Sequence, residues 1–303
     1  MLIKNIYIRE ETVGGIPTAR NGPSRFHSNC QSELFYQAWI PSRPQLIVVG
    51  LHGAGQHSGW FGPLATHLVS QRMALYALDL RGFGRSSGLR GHVDRFENYL
   101  EDVDRFIHGI RSQLPSLPII LLGHSFGGTV AIRYAQERST PIQALVVSAP
   151  ALRIRLVIPP ALDALIATIS RIAPMTSIDV TGWSRVFFRD PPNHAIDTFQ
   201  KVSQRDPWNT TRFSVRWLTE LLINGTQALR RASQLRIPVL SFCSEDDALV
   251  DPWAVHQFYR ALMGCHSQHL AFCQRPHDWI LHDNGKDPLY AYVVQWIKTQ
   301  SLP

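Results

Sequence analysis

The sequence of 303 residues is poor in the features that mark secreted, metal-binding and membrane-spanning proteins. Its four cysteines form no C-x-x-C pair and show no spacing typical of metal ligands. No run of 18 apolar residues is present, and charges interrupt the N-terminal segment, so neither a membrane-spanning helix nor a signal peptide is predicted. We therefore expect a globular cytoplasmic protein with reduced cysteines and no metal site.

The charged residues are scattered along the chain and do not form blocks. Lysine and arginine number 30 against 23 acidic residues, which gives a net charge of +7. Because no basic block or aromatic-basic ladder is present, nucleic-acid binding is not predicted. The excess charge is interpreted as ordinary solubility charge, with weak attraction to acidic lipid as the alternative. Cys243 and Cys273 fall in predicted strands, where a free cysteine usually serves as a small hydrophobic residue.

Short apolar runs alternate with segments of helical periodicity along most of the chain, which is typical of a parallel sheet flanked by helices. Residues 1–13 and 33–41 instead alternate apolar and polar positions, like half-buried antiparallel strands. The stretch 14–31 between them is rich in Gly, Pro, Asn and Ser and predicts a loop. Buried strands are predicted at 46–51, 74–78, 118–123, 142–147, 238–242 and 269–273, and helices near 60–72, 95–113, 126–137, 253–263 and 286–300.

The alternation stops between residues 151 and 235, where helical stretches at 161–172 and 212–232 replace the buried strands. We expect an α/β fold with a mostly parallel sheet of about eight strands flanked by helices. Residues 1–150 and 236–303 would form this core. Residues 151–235 would form a helical cap, or lid, inserted after the sixth strand.

The chain carries the sequence Gly-His-Ser-Phe-Gly at residues 123–127, between a predicted strand and a predicted helix. A G-x-S-x-G pattern in that context is typical of a strained turn that lifts a serine hydroxyl clear of the sheet. The two glycines allow the strand and the helix to approach without a clash of Cβ atoms. Ser125 is therefore the predicted nucleophile. It requires a histidine to accept its proton and an acid to orient that histidine.

An acidic loop follows the predicted strand 238–242, where the orienting acid is expected in chain order. Its candidates are Glu245, Asp246, Asp247 and Asp251. Asp247 is favoured because the turn places it one short loop beyond the strand, and Asp246 is the alternative. Asp251 is interpreted as a cap of the helix that follows.

A histidine follows the last predicted strand, where the base is expected. His277 is the candidate, and His282, about one helical turn further on, is the alternative. A developing oxyanion needs at least two fixed N–H donors. The small residues of the loop 52–59 let the backbone approach a substrate, so we predict the amides of Ala54 and Phe126 as these donors.

These motifs resemble those of the α/β-hydrolase superfamily and, more narrowly, of the monoacylglycerol lipase and lysophospholipase group. The loop H-G-A-G-Q-H-S-G at 52–59 is similar to that group's oxyanion loop. The segment D-L-R-G-F-G-R-S-S-G at 79–88 is similar to its Gly-rich turn, and G-H-S-F-G-G matches its elbow at the nucleophile. Within the predicted cap, Asp206-Pro207 and the following helix resemble the second half of that group's cap, whereas 151–200 does not match it closely.

The resemblance implies a serine hydrolase that uses Ser125, Asp247 and His277 and needs no cofactor. It implies cleavage of carboxylic esters of acyl lipids, of the monoacylglycerol or lysophospholipid type, through an acyl-enzyme. The apolar segment 156–169 is expected to line an acyl site or to contact a membrane surface. The residues expected to contact the substrate are His52, Gly53, His124, Leu156 and Trp183.

Three other functions are compatible with this pattern. An acyltransferase or thioesterase would use the same triad with a different acceptor. An aminopeptidase or amidase would want acidic residues in the cap, where six are present: Asp163, Asp179, Asp190, Asp197, Asp206 and Glu220. A catalytically silent binding protein on the same scaffold would usually lack a triad member, and all three are found. The sequence does not give the oligomeric state.

Overall fold

The computed structural model describes most of the chain. The predicted strand at 1–13, together with Leu156 and Trp183, lies outside the described residues. The described residues are 21–29, 32–139, 142–155, 168–179, 206–262, 266–273, 275, 277–282 and 288–301.

The strands and helices follow one another in the predicted alternation. The strands are β1 (Gly22–Asn29), β2 (Ser32–Trp39), β3 (Leu46–Leu51), β4 (Met73–Leu78), β5 (Ile119–His124), β6 (Ala144–Ser148), β7 (Ser177–Asp179), β8 (Arg212–Ser214), β9 (Val239–Ser244) and β10 (Gln268–Phe272). The helices are α1 (Gly62–Ser70), α2 (Glu97–Gln113), α3 (Phe126–Glu137), α4 (Val215–Arg230), α5 (Pro252–Arg260), α6 (Trp279–His282) and α7 (Pro288–Ser301). Residues 168–172 are also helical.

Eight strands form one sheet in the order β1-β2-β4-β3-β5-β6-β9-β10. The pairs β1–β2 and β2–β4 are antiparallel, and all the other pairs of this sheet are parallel. The central strands are buried at every position, because helices cover both faces. The predicted α/β fold with an eight-stranded, mostly parallel sheet is therefore confirmed.

Two apolar cores lie on opposite faces of the sheet. One core joins the sheet to helices α2, α3, α4 and α5, and the other joins it to α1, α6 and α7. Helix α2 shows why such helices form here, because its buried residues recur three or four positions apart, from Tyr99 through Val103 and Phe106 to Ile110. The two layers of helices leave the ends of the parallel strands as the accessible edge of the sheet.

Strand β1 lies where the sequence predicts a loop, so the prediction of a loop across 14–31 is wrong for 22–29. Its inward positions include only one large apolar residue, Phe26. Ser28 is also buried, and its hydroxyl donates to the carboxylate of Asp102 on helix α2. Because small polar residues occupy inward positions, the alternation of apolar and polar residues that marks a half-buried strand is missing.

The segment between β6 and β9 contains a small antiparallel sheet as well as helices. Strands β7 and β8 pair with each other, so the helix predicted from 212 begins three residues later, at Val215. Ser214 caps this helix, since its hydroxyl accepts from the amide of Trp217. Within the described part of the chain, no helix has both the length and the apolar character needed to cross a membrane.

The two described cysteines lie in different environments. Cys243 is buried in β9, as predicted. Cys273 is exposed and lies just beyond the end of β10, so its predicted place within a strand is wrong. The edge strand β10 ends at Phe272 because its pairing with β9 ends at Ser244.

Candidate active site

The predicted functional residues follow parallel strands whose carboxyl ends lie at the same edge of the sheet. Strands β3, β5, β9 and β10 are followed by the loops that carry Ala54, Ser125, Asp247 and His277, respectively. Open α/β sheets bind ligands in the crevice outside these carboxyl ends. The topology therefore collects residues that are up to about 220 positions apart in the chain.

Ser125 occupies a sharp turn between β5 and α3. Its backbone has φ 51° and ψ −116°, a positive φ that few residues other than glycine adopt. Its amide donates to the carbonyl of Ser148 over 2.8 Å, and its carbonyl accepts from Ala151 over 3.0 Å. Ser125 is partly exposed although His124 and Phe126 are buried, so the turn presents its side chain at the sheet edge.

Gly127 allows helix α3 to pack directly against the end of β3. A Cβ atom at this position would lie 2.2 Å from the carbonyl oxygen of Leu51 and 2.5 Å from that of His52. Both are backbone atoms that cannot move aside easily. The glycine two residues after Ser125 is therefore required by the close approach of two elements.

His277 and Asp247 form a buried hydrogen-bonded pair. Nδ1 of His277 donates to Oδ2 of Asp247 over 2.6 Å. The other carboxylate oxygen of Asp247 accepts from the amides of Leu249 and Val250 at 2.9 and 3.0 Å. The ring of His277 lies beside that of His124, with centroids 5.0 Å apart, and His124 directly precedes Ser125 in the chain.

The charges of this pair change the pKa values of both groups. Burial lowers the pKa of His277, but the carboxylates of Asp247 and Asp278 outweigh burial and raise it to about 9. Burial raises the pKa of Asp247, but the charge of His277 and its hydrogen bond outweigh that effect and lower the pKa. The Asp247 carboxylate is therefore ionised at neutral pH and stabilises a positive charge on His277.

The alternative acids lie elsewhere. Asp246 is exposed, whereas Asp247 is only 2 % exposed. Glu245 contacts His256, with 2.9 Å between Oε1 and Nε2. Asp251 caps helix α5, because its carboxylate accepts from the amide of Trp253. The side chain of His282, the alternative base, lies outside the described residues.

The loop after β3 is held in place by its own side chains. The amide of Gly53 donates to Oε1 of Gln56 over 2.9 Å. Ala54 is partly exposed at the tip of this loop. Phe126 is the first residue of α3, where the amides of a helix have no carbonyl partner within the helix. The role of these two amides as oxyanion donors stays a prediction.

His52 is fully buried behind the same loop. Its Nε2 accepts from the amide of Leu80, and its Nδ1 donates to the carbonyl of Gly53. Burial lowers the pKa of His52 to about 4, although the charge of Asp79 opposes that effect. A neutral ring is required, since one nitrogen accepts while the other donates. His52 thus fixes the backbone of Gly53, and direct contact of either residue with a substrate stays a prediction.

A network that the sequence did not predict joins the three loops at Asp278. Oδ1 of Asp278 accepts from Nε2 of His124 over 2.8 Å and from Nε2 of Gln56 over 3.0 Å. Nδ1 of His124 is 3.3 Å from the hydroxyl of Ser148. One carboxylate oxygen therefore connects the loop of Ala54, the turn of Ser125 and the residue next to His277.

The contribution of Asp278 had little signal in the sequence. Its position next to His277 is the only local indication, because its partners Gln56 and His124 are 222 and 154 residues away. His124 was predicted to contact the substrate. Its ring is fully buried, and both ring nitrogens have polar partners within the protein. Its substrate contact likewise stays a prediction.

The segment between β6 and β9 contacts the loop that carries Ala54. Nε2 of His57 donates to the carboxylate of Asp206 over 2.8 Å. The amide of Thr210 donates to the carbonyl of Gly55 over 2.9 Å. Nε1 of Trp60 donates to Oδ1 of Asn209 over 3.2 Å. Residues 206–210 are therefore fixed above the loop that follows β3.

Comparison with known proteins places this geometry in a family. The family model described as serine aminopeptidase, S33, matches residues 42–281, which is more than three quarters of the chain. The chain belongs to this family of α/β-hydrolases. The match runs from the loop before β3 to helix α6 and includes Ser125, Asp247 and His277.

Individual relatives of this α/β-hydrolase are lipases and phospholipases. It is 31 % identical to phospholipase YtpA of Bacillus subtilis over 74 % of this chain and 84 % of that protein. It is 32 % identical to a monoacylglycerol lipase of Mycolicibacterium smegmatis over 72 % of this chain and 76 % of that protein. The crystal structure of Paleococcus ferrophilus monoacylglycerol lipase superposes with a TM-score of 0.72 and 27 % identity, covering 88 % of this chain and 99 % of that chain.

These findings establish the chain as a member of the esterase and lipase branch of the α/β-hydrolases. The predicted resemblance is therefore confirmed. The relatives do not share one substrate, since one is named as a phospholipase and another as a monoacylglycerol lipase.

Proposed function

We propose that this α/β-hydrolase is a serine esterase that cleaves carboxylic esters of acyl lipids, of the monoacylglycerol or lysophospholipid type, through an acyl-enzyme. The observation that carries the proposal is the buried pair of His277 and Asp247 beside the strained turn of Ser125. This arrangement supplies a base, an acid that orients it and a partly exposed serine at the carboxyl edge of the sheet.

In the proposed mechanism, His277 removes the proton of Ser125 as its Oγ attacks the ester carbonyl. Because Nδ1 of His277 carries the hydrogen donated to Asp247, the lone pair of a neutral ring lies on Nε2. The amides of Ala54 and Phe126 would stabilise the oxyanion. His277 then protonates the leaving alcohol and activates a water molecule that releases the acid.

The lipid substrate is supported by the relatives and by the surface of the segment between β6 and β9. The two relatives compared above, each more than 30 % identical over more than 70 % of this chain, are named as a phospholipase and a monoacylglycerol lipase. The same segment exposes Ile172, Met175 and Ile223, with exposed fractions of 77, 64 and 47 %. Apolar side chains in that position suit an acyl chain or a lipid surface.

We further propose that residues 151–235 act as the cap of the active site, with 1–150 and 236–303 as the core. The hydrogen bonds of Asp206 and Thr210 to the loop of Ala54 support this assignment. They hold this segment next to a predicted oxyanion donor, where a cap would control access to Ser125.

The first test replaces the nucleophile. Ser125→Ala should lower turnover of a short p-nitrophenyl ester by more than about 10³-fold, because the acyl-enzyme cannot form. Circular dichroism and the thermal midpoint should stay close to the parent values. Ser112→Ala, an exposed helical serine outside the site, is the matched control and should keep full activity. Retained ester hydrolysis in Ser125→Ala would contradict the assignment.

The substrate class is tested with purified lipids. Release of free acid should be faster from monoacylglycerol or lysophospholipid than from diacyl lipids, because one acyl chain fits more easily beneath a cap. Adding an acceptor alcohol separates hydrolysis from transfer, since an acyltransferase or thioesterase would form a new ester instead of free acid. Predominant transfer to the alcohol would overturn the hydrolase proposal.

Amide cleavage is the competing activity that the family description suggests. The described acidic residues of the segment already have partners: Asp206 binds His57, Glu220 accepts from the amide of Phe96, and Asp179 contacts Thr211. A carboxylate that recognises a substrate amine would have to give up such a partner. Aminoacyl p-nitroanilides should therefore be cleaved much more slowly than esters, and the opposite order would favour an aminopeptidase.

A further inference from the structure

A second cluster of polar side chains lies on the face of the sheet covered by α5, outside the candidate active site. It contains Cys243 of β9, His256 of α5 and His269 of the edge strand β10. One ligand atom from each residue lies within 4.8 Å of the other two. Successive members of this cluster are 13 residues apart in the chain, so no short sequence motif predicts a shared site.

We propose that Cys243, His256 and His269 bind a thiophilic divalent metal ion, with Zn²⁺ as the ion that best suits the donor set. One thiolate and two imidazoles are ligands that zinc commonly takes in tetrahedral geometry. The binding site would revise the expectation from the sequence that the protein has no metal site.

The spacing of the donor atoms suits such an ion. Nδ1 of His256 and Nε2 of His269 face each other at 3.0 Å. Two nitrogens bound to one tetrahedral zinc at about 2.05 Å lie about 3.3 Å apart, and a nitrogen and a sulfur about 3.6 Å apart. The two nitrogens would separate by a few tenths of an ångström, and the sulfur, which lies within 4.8 Å of both, would approach to its bonding distance.

The outer nitrogen of each ring has a partner that can hold the ring in place. Nε2 of His256 contacts the Glu245 carboxylate at 2.9 Å, and Nδ1 of His269 lies 2.8 Å from the hydroxyl and 3.2 Å from the carbonyl of Ser241. Histidines that bind metals usually donate their second N–H to a carboxylate or a carbonyl in this way. The Glu245 carboxylate therefore directs the lone pair of His256 into the cluster, and the Ser241 carbonyl can accept the Nδ1 hydrogen of His269 once that ring binds the metal.

The cluster is also open on one side. The side chain of His256 is 23 % exposed and β10 is the edge of the sheet, so a water molecule can reach the fourth coordination position. Binding would replace the proton of the Cys243 thiol, which would leave to solvent, while His269 moves its hydrogen to Nδ1. The ion would then fasten the edge strand β10, which leads to His277, to helix α5 and strand β9.

The experiment uses Co²⁺ as a spectroscopic substitute for Zn²⁺ on the full chain, after treatment with a chelator. One equivalent of Co²⁺ should produce the visible bands of tetrahedral cobalt and a near-ultraviolet charge-transfer band from thiolate to cobalt. Zn²⁺ should displace the cobalt and raise the thermal midpoint, since an ion that binds only the folded state stabilises it.

Variants assign the signal to the three residues. Cys243→Ser should abolish the charge-transfer band, and His256→Gln should weaken cobalt binding by more than about tenfold. Cys273→Ser is the matched control, because Cys273 is exposed near the same edge, and it should leave the band unchanged. His256 is partly exposed on a helix, so His256→Gln is expected to fold. It can therefore test the site even if Cys243→Ser does not fold.

Three outcomes would overturn the proposal. The first is the absence of a charge-transfer band at stoichiometric cobalt, which would leave the cluster as a hydrogen-bonded chain alone. The second is loss of the band in Cys273→Ser. The third is cobalt binding without a thiolate band, which would place the ion at the other described group that could hold a metal, His124, His277 and Asp278. The first two outcomes do not bear on the proposed esterase activity, which is measured separately.

Discussion

In the proposed mechanism, the protonation of His277 decides when Ser125 can react. The base must be neutral to accept a proton, and the carboxylates of Asp247 and Asp278 raise its pKa to about 9 against the effect of burial. We therefore expect kcat/KM for an uncharged ester to rise with pH through the neutral range and to level off near pH 9. A profile that is already flat at pH 7 would contradict this expectation.

The raised pKa of His277 should make the stability of the fold decrease as the pH rises, whereas activity increases. Because the folded state raises the pKa of His277 above its ordinary value near 6.5, the charged ring stabilises the fold fully below that value. This contribution is lost as the pH rises through about 9. The thermal midpoint of the parent should fall between these pH values more steeply than that of His277→Gln, which cannot titrate there.

Asp278 is expected to position the site and to tune its charge, and two substitutions separate the two roles. Asp278→Asn can keep both hydrogen bonds, since His124 and Gln56 donate to the same oxygen. It removes a charge that raises the pKa of His277, so the activity profile should shift to lower pH with a modest change in kcat.

Asp278→Ala should instead lower kcat by about tenfold or more at every pH, because two buried donors lose their acceptor at about 1–3 kcal/mol each. Both variants are compared by kcat and KM across the pH range. Equal effects of the Asn and Ala substitutions would show that Asp278 acts by charge alone and would contradict the positioning role.

At the scale of elements, the contact of α3 with β3 determines where Ser125 lies. Gly127→Ala places a Cβ atom within 2.2 Å of the Leu51 carbonyl, so helix and strand must separate. We expect lower stability in urea and at least about tenfold lower kcat, because a shift of about 1 Å at the nucleophile suffices for such a loss.

A second glycine at a helix start provides the control for this substitution. Gly62 begins α1, and a Cβ atom there would meet no atom within 4 Å. Gly62→Ala should therefore be neutral or slightly stabilising, since alanine loses less backbone entropy in a helix. If both alanine variants behave alike, the backbone contact of Gly127 does not position Ser125.

At the scale of the whole molecule, a net charge of +7 and the exposed apolar residues of the β6–β9 segment suit an anionic lipid surface. We expect co-sedimentation with vesicles of phosphatidylglycerol but little with phosphatidylcholine, and weaker binding at high salt. The double variant Ile172→Asp with Met175→Asp should bind less. Tyr292→Asp, exposed on α7 outside that segment, should bind as the parent does. Binding that depends neither on lipid charge nor on the two substitutions would exclude this surface as the membrane-binding site.

Most of the fold could be predicted because local patterns dictate it. Continuous apolar runs marked β3 through β6 and β9, since strands covered on both faces need apolar residues at every position. Strand β1 was missed because Ser28 satisfies an inward position with a hydrogen bond to Asp102 instead of an apolar side chain. Hydrogen bonds between distant residues leave no periodic pattern in the sequence.

The candidate site likewise has features that local motifs predict and features that only tertiary contacts determine. The sequence alone determined the turn of Ser125 and the chain order of serine, acid and histidine, because each follows a strand and carries a local motif. Tertiary structure alone decided that Asp247, and not Asp246, binds His277, and that Asp278 joins His124 to Gln56. The tertiary structure also brings Cys243, His256 and His269 close together. These contacts depend on the direction and order of the paired strands, which bring residues together regardless of their separation along the chain.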